Sequence, residues 1–112
     1  MKKIQSLGDF EQVMLLTILR LKGKGAYGVS IRKEIAERTQ RQPTPGAIYT
    51  TLERLEDKGL VSSSVGEATP ERGGRAKRFY FVTAQGLNAL QRIQAEYKSL
   101  RQGLTILEGS YV

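Results

Sequence analysis

Three amphipathic segments divided by turn signals, two short β-rich runs around a Gly-containing basic stretch, and a heptad-spaced apolar tail predict a mainly α, α+β chain. Taken in order they make a winged helix-turn-helix: three helices, a β-hairpin wing and a long C-terminal helix. A chain of 112 residues has room for one structural domain. Within it, residues 1–82 are expected to form the winged helix-turn-helix and residues 83–112 a C-terminal dimerisation helix.

The first helix is expected from Asp9 to about Lys22, with Asp9 as N-cap and Gln12 three residues on, the capping-box spacing. Phe10, Val13, Met14, Ile18 and Leu21 recur at helical spacing, and Leu15, Leu16 and Leu19 widen the stripe. A helix apolar on more than one side needs more than one neighbour. The second helix is expected from about Val29 to Thr39, with Ile31, Ile35 and Ala36 inward and Arg32, Lys33, Glu34, Glu37 and Arg38 outward. The third has the sharpest start. Thr44 suits the N-cap, Pro45 suits the first helical position, and Ile48, Leu52 and Leu55 follow at i, i+4 and i+7 until Lys58-Gly59 ends the run.

Leu60 to Val65 and Arg78 to Val82 read as two strands, joined by a long tip from Gly66 to Arg75. Thr83 then caps a last helix expected to reach about Glu108, roughly 25 residues or about 37 Å. Leu90, Ile93, Tyr97, Leu100, Leu104 and Leu107 are spaced as an a/d seam. A three-helix core cannot cover a helix this long, so those six residues are the expected dimer interface.

Composition narrows the function. Hydrophobic residues make up 39% and charged residues 26%, an ordinary globular balance. The chain has neither Cys nor His. Disulfides, thiolate metal sites, cysteine nucleophiles and histidine bases are therefore excluded. No metal-ligand spacing and no phosphate-loop motif is present, so no cofactor and no enzymatic activity are expected. The apolar stretch Val13 to Leu21 is short and broken by Thr17 and Arg20, which argues against a membrane span and for a cytoplasmic protein. The net charge of +7 favours a polyanion partner.

Two segments can supply that contact. On the third helix, removing the inward Ile48, Leu52 and Leu55 leaves a free face of Pro45, Gly46, Tyr49, Thr50, Glu53 and Arg54; with the N-cap Thr44, the residues Gly46, Tyr49, Thr50 and Arg54 offer hydroxyls, close backbone approach and a cationic fork. In the hairpin, Arg72, Arg75, Lys77 and Arg78 lie within seven residues, interleaved with Gly73 and Gly74. A basic loop beside a recognition helix suits phosphate or minor-groove contact. Double-stranded DNA is the expected partner, together with a second copy of the chain. Phe10, Met14 and Tyr97 are adaptable or aromatic side chains on the elements expected at the dimer interface, and are candidates for a small aromatic effector pocket. The alternative is a winged-helix protein-interaction module without sequence-specific DNA binding. Salt separates the two, because phosphate contacts lose affinity steeply as salt rises.

The run from Pro45 to Val61 resembles the recognition-helix signature of PadR-family transcriptional regulators. The run from Gly73 to Gly86 resembles that family's wing, and Ala26-Tyr27-Gly28 matches its Tyr-Gly before the second helix. The likeness spans about residues 8 to 108. It implies a homodimeric bacterial repressor whose dimer is built by the last helix together with the first. It implies that Tyr49 contacts the DNA backbone and that Arg78, where the family usually has Lys, contacts DNA from the wing. Some members bind planar aromatic effectors at the dimer interface, at a place comparable to Tyr97; others of this short form have no known effector. The last helix here lacks the Trp of the multidrug-type sandwich.

Overall fold

In the computed structural model, the described residues are 6–66 and 76–108. They form helices α1 (Asp9–Arg20), α2 (Gly28–Arg38) and α3 (Pro45–Asp57), strands β1 (Val61–Val65) and β2 (Arg78–Val82), and helix α4 (Ala84–Arg101). A single 3-10 turn follows at Thr105–Glu108.

Capping follows local chemistry. At α1 the N-cap is Gly8, not Asp9, and the reaching-back carboxylate is Glu11, not Gln12: Glu11 Oε1 accepts from the Gly8 amide at 2.8 Å. Glu11 is buried, and both its oxygens lie 2.9 Å from Lys58 Nζ. This pair pins the start of α1 to the end of α3 and so sets the helix start. Asp9 becomes the first helical residue, where a negative charge meets the positive end of the helix dipole. At α2, Ser30 Oγ accepts from the Tyr27 amide at 3.0 Å and donates to the Gly25 carbonyl at 2.8 Å. At α3, Thr44 Oγ1 accepts from the Ala47 amide at 3.1 Å, with Pro45 in the first turn.

The core lies where the helices converge on the hairpin. Met14 and Leu15 of α1, Ile31 and Ile35 of α2, and Ile48, Leu52 and Leu55 of α3 are almost wholly excluded from solvent. Leu60, Val61 and Tyr80 close it from the hairpin, and Ala89 and Leu90 from α4. Ala36, expected inward, is exposed. Ile31 and Ile35 already define the packed stripe of α2, and Ala36 lies about 100° further round the helix.

β1 and β2 pair antiparallel in register Val61↔Val82, Ser63↔Tyr80 and Val65↔Arg78. Opposed residues share a face, so Ser63, Tyr80 and Arg78 look the same way. The outer edge of β2 is not bare: the Tyr80 amide donates to the Ala26 carbonyl at 2.8 Å.

The last helix departs from expectation. Thr83 Oγ1 accepts from the Gly86 amide at 3.0 Å and caps α4 as expected. The helix ends at Arg101 rather than near Glu108, giving 18 residues and a length of about 27 Å. Gly103 has φ +85°, which stops helical propagation. The heptad positions therefore divide. Leu90 belongs to the protomer's own core at 3% exposure, which corrects its place in a free interface. Ile93 is half-buried. Tyr97 and Leu100 are exposed on the distal half of α4, whereas Leu104 and Leu107 lie beyond the helix and are also exposed.

Candidate nucleic-acid interface

α3 presents its N-terminal half to solvent: Thr44, Gly46, Tyr49 and Thr50 are exposed, as is Arg54 one turn further on. The helix is chemically polarised. Its first half is uncharged, while its second half carries Glu53, Glu56 and Asp57 against the single cation Arg54. The first half thus carries no negative side chain to repel a phosphate. The dipole of the helix works in the same sense, because its positive end lies at the first turn.

Tyr49 is the hub. Its ring lies across the first turn of α2, so close that a Cβ added at Gly28 would overlap the phenol oxygen and Cζ and come within 2.8 Å of Cε1. Only glycine leaves space for the ring there. Tyr49 also lines a groove of about 340 Å³ between α2 and α3, together with Val29, Arg32, Lys33, Gln42 and Pro43. Arg32 Nε donates to the Pro43 carbonyl at 2.7 Å, which ties α2 to the turn before α3. Arg32 and Lys33 thus stand beside Tyr49. The sequence marks them only as outward-facing. Their position follows from the turn geometry, which no local pattern discloses.

The wing meets α3 near its C-terminal end. Glu56 is seven residues from Tyr49, two turns along one face of α3. Ser63 Oγ donates to Glu56 Oε2 at 2.7 Å and accepts from the Arg78 guanidinium at 2.9 Å. Tyr80 is buried beside these groups. Burial raises its pKa above the usual 10.0, Glu56 adds to the rise and Arg78 opposes it. Lys77 Nζ sits 4.3 Å above the ring of Tyr27, the residue before α2, a cation–π arrangement. Tyr27 in turn meets Phe79 edge-on at 5.7 Å. The structure thus sets Arg32 and Lys33 beside Tyr49, Lys77 against Tyr27 just before α2, and Arg78 one hydroxyl away from Glu56 of α3. Arg72 and Arg75 lie outside the described residues.

The candidate effector trio is not brought together. Met14 is wholly buried in the protomer core and Phe10 packs partly against it. Tyr97 instead lines a shallow depression with Leu7, Gln12, Arg92 and Ile93, to which neither Phe10 nor Met14 contributes. The periodicity of α1 marks its apolar stripe, but periodicity does not separate the tight packing of Met14 from an interface position.

The model of the transcriptional regulator PadR-like family matches residues 15–92. The chain belongs to that family. PadR-like proteins are transcriptional regulators, not enzymes, and the fold is that of a DNA-binding regulator. Solved structures agree. A PadR-like transcription factor from Bacteroides fragilis has 24% identity and a TM-score of 0.68, with 88% of each chain covered. A PadR family transcription regulator from Clostridium difficile has 23% identity and a TM-score of 0.67, covering 88% of this chain and 97% of that one. A PadR family transcriptional regulator from Eggerthella lenta has 24% identity and a TM-score of 0.60, with coverages of 89% and 87%. No curated protein matches the sequence. Among the described residues no helix is long and apolar enough to cross a membrane.

Proposed function

We propose that this PadR-like regulator is a homodimeric repressor that binds an inverted-repeat DNA operator in the bacterial cytoplasm, associated with the nucleoid. The observation that carries the reading is convergence. Arg32 and Lys33 of α2 stand beside Tyr49 in the groove against the uncharged half of α3, while the base of the wing adds Lys77 against Tyr27, the residue before α2, and Arg78 linked to α3 through Ser63. In this reading Thr44, Gly46, Thr50 and Arg54 approach base edges in the major groove. Tyr49, Lys77 and Arg78 hold phosphates, and Arg72 and Arg75 extend the wing contact. Two α3 helices related by a dimer axis enter successive major grooves about 34 Å apart.

The exposed Tyr97, Leu100, Leu104 and Leu107 support a self-associating C-terminal segment, to which Ile93 adds a half-buried margin. Repression then follows from occupying the promoter. A small aromatic effector acts only if it binds two dimer states with different affinity, and Tyr97 is the most exposed residue of the candidate trio.

The test is fluorescence anisotropy on the DNA immediately upstream of the protein's own gene, at two salt concentrations and with excess random competitor. Saturable nanomolar binding that survives competitor and weakens steeply with salt is the expected result. Salt-independent binding, or none to any genomic fragment in a selection, would overturn the reading in favour of a protein-interaction module.

A further inference from the structure

Ser63 sits between two opposite charges. Its hydroxyl donates to Glu56 of α3 and accepts from Arg78 of β2. Among the described residues Arg78 makes no direct ion pair with a carboxylate. A guanidinium has five N–H donors, and the hydroxyl engages one. Ser63 lies two positions along β1 from Val65, the direct partner of Arg78. It is thus the diagonal neighbour on the same face, within reach of a long side chain.

We infer that Ser63 is a positioning residue: its hydroxyl spaces Arg78 from the Glu56 carboxylate and leaves the other guanidinium donors free for a DNA phosphate. The inference rests on the DNA-binding reading above. A bidentate Arg–carboxylate pair is among the strongest polar contacts available to arginine, and it would occupy the donors that a phosphate needs. Both charged groups already sit one hydrogen bond from the same oxygen. Removing that oxygen lets the flexible Arg78 side chain swing onto Glu56. Glu56 is thus a competitor for Arg78, and Ser63 keeps the competition unresolved until DNA arrives.

The experiment measures affinity for a labelled random-sequence duplex of about 30 base pairs as a function of salt, since a phosphate contact is sequence-independent. It compares wild type with Arg78→Ala, Ser63→Ala, Ser63→Thr and the double variant Ser63→Ala/Glu56→Gln, each checked for an unchanged circular dichroism spectrum. Arg78→Ala should weaken binding and lower the salt slope by about one. Ser63→Ala should weaken binding about three- to tenfold, and Ser63→Thr, which keeps the hydroxyl, should restore it. The double variant should return to within about twofold of wild type, because the competing carboxylate is replaced by a neutral amide. If Arg78→Ala binds as wild type with the same slope, the assignment of Arg78 to DNA fails and this inference with it. If Arg78→Ala weakens binding but Ser63→Ala does not, or if the double variant stays as weak as Ser63→Ala, the spacer role is refuted while the DNA contact stands.

Discussion

Gly28→Ala separates stability from DNA affinity at one atom. Gly28 is the first residue of α2 and its backbone is open to any L-residue, so alanine adds no torsional strain. In a helix, Gly to Ala commonly stabilises by about 0.5–1 kcal/mol. The new methyl group, however, stands 2.8 Å from Tyr49 Cε1 and overlaps the phenol oxygen. Carbon atoms pack at about 3.5–4.0 Å, so the ring must retreat by about 1 Å. A hydrogen bond from the phenol to a DNA phosphate does not survive that displacement. Its loss is expected to cost about 1 kcal/mol per site, or roughly fivefold in affinity. Thermal melting should show a Tm equal to or above wild type, while anisotropy shows weakened binding to every duplex sequence. A double-mutant cycle with Tyr49→Phe closes the argument. If the phenol is displaced, Gly28→Ala adds nothing further once Tyr49→Phe is in place. A Gly28→Ala protein that binds as tightly as wild type while Tyr49→Phe is impaired would refute the reasoning.

Three further outcomes are expected. Glu11→Gln leaves Lys58 without its carboxylate in a largely buried setting, and should lower stability by about 1–3 kcal/mol in urea titration. Glu34 accepts from Arg38 and Arg20, and its pKa is lowered from 4.5 by the Arg38 hydrogen bond foremost, with partial opposition from desolvation. Its stabilising effect is therefore full above pH 4.5 and is lost as pH falls through the lowered pKa. The Tm difference between wild type and Glu34→Gln should close on acidification over that range. Leu100→Asp places a charge on the exposed distal face of α4, and should convert the proposed dimer to monomer in sedimentation velocity while leaving the helical spectrum intact.

The sequence discloses most of what local chemistry decides. Thr44-Pro45 and Thr83 start their helices where the hydroxyls accept amides, and Arg78 to Val82 is the second strand to the residue. It is less informative where two distant segments compete. The start of α1 is fixed by Glu11 pairing with Lys58, 47 residues away, and no local signal ranks that above an Asp9 cap. The heptad spacing of the tail is real as a pattern. It carries two different jobs, since Leu90 packs inward and Gly103 breaks the helix before Leu104. Within the candidate interface, Tyr49 and Arg78 are legible from residue type and setting. Lys33 becomes visible only when the groove between α2 and α3 places it beside Tyr49.

The uneven charge of α3 constrains how the protein can lie on a duplex at all. A helix with carboxylates at one end is an oriented object in the field of the phosphates. Laid lengthwise along the groove, it would press Glu53, Glu56 and Asp57 toward two negatively charged walls. Entered tip first, it offers those walls hydroxyls and the positive end of its dipole. Wrong poses are thus rejected by repulsion before any base is read. A searching molecule would spend less time trapped in unproductive orientations as it slides. On the proposed reading, acidic residues in a basic protein, which look like a handicap to binding nucleic acid, would shorten the search.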